Sequence, residues 1–368
     1  MCYDDVSRRP GLISRRASRK PASGSSPPPV APSISSLSAS SGDRWFASAS
    51  LTVTGSDFDG STATASFGAT SGITGTGSSG TMTFTIPAAE LWETGTKNVT
   101  VTSTAGTSNA LTYTVSQPSD LLQDLRADRG ITLNSSTVSA WTSQDTSGDS
   151  NRNVSQATAS KQPTYNSSDS SYNNKPTLTF SDSGNRTIIL SGAGAFTGGA
   201  YNQVTVVIVG HWMTTYASDS STLRNGWMFD IHNTDSTKAW SVSRSGTGSV
   251  FGVDTRTPTT TVSVTNATRN VETPSVFVCY TGASGGLNTQ ATSKVYIRST
   301  STSASANGAS TYVGLTGVSV GNTLRATNSG AIAKIAEVLV FNREFSSGDL
   351  TKLTDYLSTR YGSGVMTP

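Results

Sequence analysis

The sequence predicts an all-β chain: a small β-sandwich, then a larger jelly roll closed by one C-terminal helix, with an extended basic arm in front. Three observations carry this. Charged residues make up only 13% of the 368 positions while glycine alone numbers 35. Apolar runs are short and alternate with period two between Gly, Asn, Asp and Pro turns, as half-buried strands do. No segment of 20 to 50 residues repeats, which excludes a propeller or a solenoid.

Residues 1–32 form the arm. It carries Arg8, Arg9, Arg15, Arg16, Arg19 and Lys20 against Asp4 and Asp5 and ends in Ser-Gly-Ser-Ser-Pro-Pro-Pro, so its +4 exceeds the formal +3 of the whole chain and leaves the remainder at −1. Such a segment has too little apolar surface to fold alone and ends in a stiff spacer. It reads either as an anchor lying on an acidic partner surface or nucleic acid, or as a solvated leader.

Residues 33–116 hold five alternating runs: Leu51 and Val53; Ala63, Ala65 and Phe67; Met82, Phe84 and Ile86; Val99 and Val101; Leu111, Tyr113 and Val115. Strands at this spacing make a two-sheet sandwich. Gln117-Pro118 marks a boundary, and residues 117–368 are too many for a second small module but suit a jelly roll.

The chain ends in its most legible stretch. Ile335, Glu337, Leu339 and Phe341 alternate with Ala336, Val338 and Val340, predicting a strand buried on both faces. After Asn342-Arg343-Glu344, Ser346 offers an N-cap hydroxyl with Asp349 three residues on, and Leu350, Leu353, Leu357 and Tyr361 recur at helical spacing before Gly362.

Chemistry-bearing motifs are sparse. Retaining glucanases on jelly rolls use Glu-x-Asp-x-Glu, whose spacing of two sets carboxylates side by side on one strand face, and no such triplet occurs. Asp57 and Asp59 have the spacing but sit in a turn, and Glu337 stands alone. The two histidines, His211 and His232, have no partner at metal-ligand spacing, and there is no Gly-x-Ser-x-Gly elbow or phosphate loop. The chain is therefore expected to be non-enzymatic. Cys2 and Cys279 are too few for a disulfide framework, and Cys279 reads as a buried small hydrophobe. No apolar run is long enough to span a bilayer, and no secretory h-region follows the N-terminal charges. The Asn-x-Ser/Thr sequons, Asn98 and Asn134 among them, follow from composition.

Binding is the better expectation, and alternation supplies a face. Trp227, Phe229 and Ile231 fall on one side of their strand, as do Trp240 with Val242 and Val295 with Ile297, and these read as core. If the strands are neighbours in one sheet, the opposite side shows His211, Asp230, His232, Tyr296 and Arg298. Carboxylate, imidazole, phenol and guanidinium together suit sugar hydroxyls. A solvated face without a ligand is the other reading. Calcium is the one cofactor left open: Asp145, Asp149 and Asn151 supply oxygen ligands in one loop, though without EF-hand spacing or its distal glutamate.

Two resemblances extend this reading. The strand–Gly55-x-x-Phe58 turn followed by Phe67-Gly68, over residues 33–116, resembles the IPT/TIG type of immunoglobulin-like domain, which implies a spacer or binding module. Trp141 with Asp145 to Asp149, Gln162-Pro163 with Asn174-Lys175-Pro176, and the terminal strand–turn–helix resemble a concanavalin A-like, laminin-G-type jelly roll of phage virion and bacterial surface proteins. That resemblance implies glycan or protein binding, makes the Asp145 loop a turn packed on Trp141, and gives Glu337 a structural place. The expectation is an accessory protein on the surface of a tailed-phage virion, as capsid decoration or head fibre, whose arm contacts the major capsid or another virion protein rather than nucleic acid. A tail-tip adhesin, or a bacterial surface or secreted carbohydrate-binding protein, is the alternative. No heptad supports a trimer.

Overall fold

The computed structural model describes residues 28–181, 187–192, 204–213, 226–233, 239–245, 250–256, 261–266, 274–281, 293–297, 300–304, 315–324 and 330–362. The fold is all-β with one short C-terminal helix, as expected.

Nine strands between Ser33 and Ser116 form the first unit, curled into two faces because Thr70–Gly77 pairs with Thr81–Thr85 at one end and with Thr64–Phe67 at the other. The alternating residues point inward together: Leu51, Val53, Ala65, Phe67, Met82, Phe84, Val99, Val101, Tyr113 and Val115 are buried in one cluster. Two glycines have steric reasons. A Cβ on Gly55 would stand 1.9 Å from the Ser33 carbonyl oxygen and 2.8 Å from Phe58, so the Gly-x-x-Phe turn closes only without one. Gly68 turns the chain at φ +59°, in the left-handed region that glycine favours.

The strands from Leu121 onward form one closed hydrogen-bonded system of two facing series, joined by Thr164–Asp169, which pairs with Lys175–Phe180 of the first and with Thr137–Trp141 of the second. In the first, the closing strand Ala333–Phe341 is central: it pairs with Val204–Trp212 on one side and with both Leu121–Arg126 and Lys175–Phe180 on the other. Ser275–Thr281, Ser293–Ile297 and Thr300–Ala304 extend it beyond Val204–Trp212. The second series includes Thr137–Trp141, Val154–Ser155, Leu190–Gly192, Leu315–Val320, Gly226–Asn233, Ala239–Ser245, Val250–Arg256 and Thr261–Asn266. Between the two lies an apolar core that contains Trp141, Ile208, Phe229, Phe277, Val318 and Val340. Trp141 is fully buried and its indole N–H donates to the Arg126 carbonyl at 3.0 Å.

The closing strand departs from strict alternation. Its register against Val204–Trp212 skips Ala336, so Ile335, Val338 and Val340 face the inter-sheet core while Ala336, Leu339 and Phe341 face outward. A bulge of this kind adds one residue and re-aims its neighbours. A second irregularity, between Trp227 and Phe229, puts Met228, Phe229 and Ile231 into the inter-sheet core in place of the expected Trp227, Phe229 and Ile231.

Helix α1 (Ser347–Tyr361) covers that outward face. Ser346 and Asp349 form a full capping box, and Leu353, Leu357 and Tyr361 are buried, as the spacing predicts. Tyr356, outside the predicted stripe, is buried as well. The rest of the cover comes from the first unit, whose Trp45 and Phe46 reach Phe341, Phe345 and Tyr356 with ring centroids 5.4–6.0 Å apart. Among the described residues, no helix is long and apolar enough to cross a membrane.

Candidate functional site

The structure separates the residues expected to share one face. His211 sits on Val204–Trp212 in the first series, whereas Asp230 and His232 sit on Gly226–Asn233 in the second. Tyr296 belongs to a strand of the first series, opposite Val278, and its side chain lies outside the described residues, as does all of Arg298. The strands of His211 and of Asp230 and His232 are not neighbours, so the condition for a shared face is not met.

Nor do the three described side chains face solvent. His211 is buried, with Nδ1 2.7 Å from the Tyr172 hydroxyl and the two rings stacked at an interplanar angle of 9°. Burial pushes the Tyr172 phenol well above its ordinary value, with the Asp169 charge adding to it. Asp169 accepts in turn from Lys334 Nζ at 2.8 Å and from Thr177 Oγ1 at 3.2 Å. Burial pushes the Asp169 carboxyl up, but these bonds and the Lys334 charge outweigh it and hold it below the usual range.

Asp230 is fully buried between its cross-strand neighbours Ser241 and Ser319 and accepts from Thr323 Oγ1 at 2.7 Å. The turn after Val320 makes this contact possible, because the Ser319 hydroxyl donates to the Asn322 carbonyl at 2.9 Å. His232 lies over Gly317, where a Cβ would stand 2.3 Å from the imidazole Cε1. A buried carboxylate among hydroxyls specifies the packing of its sheet.

The loop offered for calcium is committed elsewhere. Asp145 Oδ1 accepts from Arg152 at 3.0 Å and from the Ser147 N–H at 3.0 Å, and Oδ2 accepts from the Ser143 hydroxyl at 2.6 Å. Asp149 Oδ1 caps the short turn that follows by accepting from the Asn151 N–H at 2.9 Å. The Arg152 guanidinium thus supplies the positive charge that a cation would bring. Among the described residues no group of three or more His, Cys, Asp or Glu could hold a metal ion.

Among the described residues, a dense charge cluster that sequence reasoning did not find lies between the two units. Arg44 pairs with Asp124, and both side chains are buried. Arg126 donates to Glu93 at 2.7 Å and lies 3.4 Å from Asp124, while Arg129 reaches Glu93 at 2.8 Å. Beside them Glu337, fully buried, accepts from the hydroxyls of Tyr356 at 2.9 Å and Tyr361 at 2.7 Å, with Arg360 Nε at 3.6 Å. Burial raises the Glu337 carboxyl above its ordinary value, against the opposing charge of Arg360. Glu337 therefore has the structural place that the resemblance implied. Its partners on α1 explain why the closing strand tolerates a carboxylate. Cys279 is buried, and burial pushes its thiol well up, as for a small hydrophobe. The arm cations from Arg8 to Lys20 lie outside the described residues.

No family model and no curated protein matches the chain. Among solved structures it is similar to a sialidase of Trypanosoma rangeli in complex with sialic acid, with 9% identity and a TM-score of 0.41 over 72% of this chain and 42% of the sialidase. It is also similar to domain 4 of a GH43 extracellular arabinanase from Geobacillus stearothermophilus in complex with arabinotriose, with 11% identity and a TM-score of 0.41 over 64% of this chain and 98% of that domain. The chain spans less than half the length of the sialidase it matches. Both likenesses are compatible with the jelly-roll-like fold. They do correct one expectation: a sialidase and part of an arabinanase stand among the matches, so the reading of this chain as non-enzymatic does not hold, while identities of 9% and 11% assign it no reaction.

Proposed function

We propose that the chain is a carbohydrate-binding display protein of a tailed-phage virion, attached through its basic arm and presenting the two β-units outward as one rigid body. The observation that supports this most is the buried junction. Arg44, Glu93, Trp45 and Phe46 of the first unit are spent on Asp124, Arg126, Phe341 and Tyr356 of the second. A spacer free to swing would not bury charge and aromatic surface in this way, because an ion pair removed from water recovers its desolvation cost only in a fixed geometry. A rigid body on a flexible basic arm suits multivalent display, where weak contacts are multiplied by copy number.

The test has two parts. Purified virions should contain the full chain and lose it when residues 1–32 are deleted; normal incorporation of the deleted form would refute the anchoring role, and recovery of the chain from a bacterial envelope fraction instead would favour a cell-surface protein. A glycan array probed with the full chain displayed multivalently should give signal, and a blank array would refute the carbohydrate reading.

A further inference from the structure

We propose that residues 33–47 act as a tension fastening, through which a pull on the N-terminal arm passes into the second unit without extending the first. Ser41–Asp43, near the start of the first unit, pairs parallel with its last strand, Leu111–Ser116, setting Ser41 opposite Thr114, Gly42 opposite Val115 and Asp43 opposite Ser116. Backbone bonds from the Thr114 N–H to the Ser40 carbonyl and from the Arg44 N–H to the Ser116 carbonyl, each 2.8 Å, close the two ends of this ladder. Gly42 permits the approach, since a Cβ there would stand 2.4 Å from the Tyr113 hydroxyl and 2.7 Å from the Ala47 Cβ.

Strand polarity decides how this ladder meets a load. The arm pulls Ser41–Asp43 from its N-terminal end, while the second unit holds Leu111–Ser116 from its C-terminal end, through Gln117-Pro118-Ser119-Asp120. In a parallel pair these are opposite ends of the ladder, so the strands are sheared and the bonds share the load. An antiparallel pair would set both pulled ends together and open one bond at a time. Ahead of the ladder, Ser33–Leu37 pairs with Ser50–Ser56. It is held a second time by the Asn109 side chain, which accepts from the Ile34 N–H and donates to the Ile34 carbonyl, both at 2.9 Å.

A second tie works alongside the ladder. Directly after Asp43, Arg44 pairs with Asp124, Trp45 packs on Phe341 and Tyr356, and the Phe46 carbonyl accepts from Lys352 at 2.7 Å. The ladder thus binds this segment to the end of the first unit, and the seam binds it to the second. The chain from Ala47 to Ser116 lies between the tied points and carries no tension until both ties give way. The inference rests on the arm attachment proposed above for the origin of the pull, whereas the fastening belongs to the fold and is measured on the protein alone.

The test holds the full chain at constant force between a handle on Cys2 and one at the C-terminus; Cys279, the other thiol, is buried. Failure of the fastening frees the chain between Ala47 and Ser116, a step of roughly 240 Å at ~3.5 Å per residue. Thr114→Pro, which lacks the N–H bonded to Ser40, should shorten the lifetime before that step about fivefold, the effect of one hydrogen bond. Trp45→Ala, which strips the seam, should shorten it about tenfold or more. Leu51→Ala, in the sandwich core, is the control: it should lose stability in urea and yet keep the wild-type lifetime, because forced opening follows the unfolding barrier. Should Thr114→Pro fail to fold, Trp45→Ala against Leu51→Ala decides. Lifetimes unchanged in Thr114→Pro and Trp45→Ala, or lifetimes that follow urea stability across all the variants, overturn the fastening. Either result leaves the attachment of the arm to the virion-incorporation test, which reads it separately.

Discussion

Arg44 and Asp124, 80 positions apart in the chain, form an ion pair with side chains 1% and 0% exposed, at the seam between the two β-units. Asp124 also lies beside Arg126, so one carboxylate answers to two guanidinium groups. Asp124→Ala would leave both buried with less counter-charge, and removal of one partner from a buried pair typically costs about 3–5 kcal/mol. The double variant Arg44→Met/Asp124→Leu should recover much of that loss, since apolar groups of similar volume need no counter-ion. Equilibrium denaturation of the two variants against wild type measures both values. A single variant within about 1 kcal/mol of wild type would place the pair among surface-like contacts.

Acid should loosen the same seam. Burial pushes the carboxyls of Glu93 and Asp128 up, but the hydrogen bond from Arg126 to Glu93, that from Arg360 to Asp128 and the surrounding arginine charges outweigh it and hold both below the usual range. A carboxylate with a lowered folded-state value contributes stability above its unfolded value, about pH 4, and loses it as pH falls through the folded value. Glu337 has the opposite sign: its raised value means that ionisation in the folded state opposes folding as pH rises. Stability of wild type and Glu93→Gln, followed downward from pH 7, should show a shallower acid limb in the variant. Parallel limbs would remove Glu93 from the account.

The closing strand, the capping box of Ser346 and Asp349 and the small sandwich's inward residues were all legible because each depends on neighbours within a few positions. The skip at Ala336 was not: period-two alternation reports which residues share a face only while the register holds, and a bulge breaks it without any mark in composition. Asp230 and His232 failed for another reason. Alternation placed them opposite the core correctly, but it cannot say what covers that second face, and here packing within the molecule buries both. The seam was least legible of all. Phe46 accepts from Lys352 across 306 residues of sequence, and nothing local to either foretells the contact. Of the expected site, sequence thus gave residue types and strand sides, while neighbourhood and accessibility came from the tertiary arrangement.

The two uses of glycine in the first unit should be separable. Gly55 has an ordinary extended backbone but no room, with the Ser33 carbonyl 1.9 Å from where a Cβ would lie. Gly72 has a φ of +70° but nothing within 4 Å. Gly55→Ala must push a paired strand aside and is expected to cost about 3 kcal/mol or more. Gly72→Ala bears only the left-handed strain, about 1 kcal/mol. Urea denaturation of the two variants checks the order, and equal losses would refute the steric account of the Gly-x-x-Phe turn.

Separating the units should harm the larger one more than a severed linker would. Residues 117–368 alone would expose Phe341, Phe345 and Tyr356, now under Trp45 and Phe46, and would leave Asp124 and Arg126 without Arg44 and Glu93. Uncovered aromatic surface of that kind drives association, and the unpaired charges beside it weaken the fold they sit in. The fragment should therefore bind a hydrophobic dye, elute as an aggregate and melt below the full chain, and Trp45→Ala in the full chain should shift it the same way by about 3 kcal/mol, within the range for a large buried side chain. A fragment that stays monomeric and keeps the full chain's melting temperature would show that the junction is incidental contact. That result would also remove the ground for treating the two units as one rigid body, because the seam would then contribute nothing that a flexible tether could not.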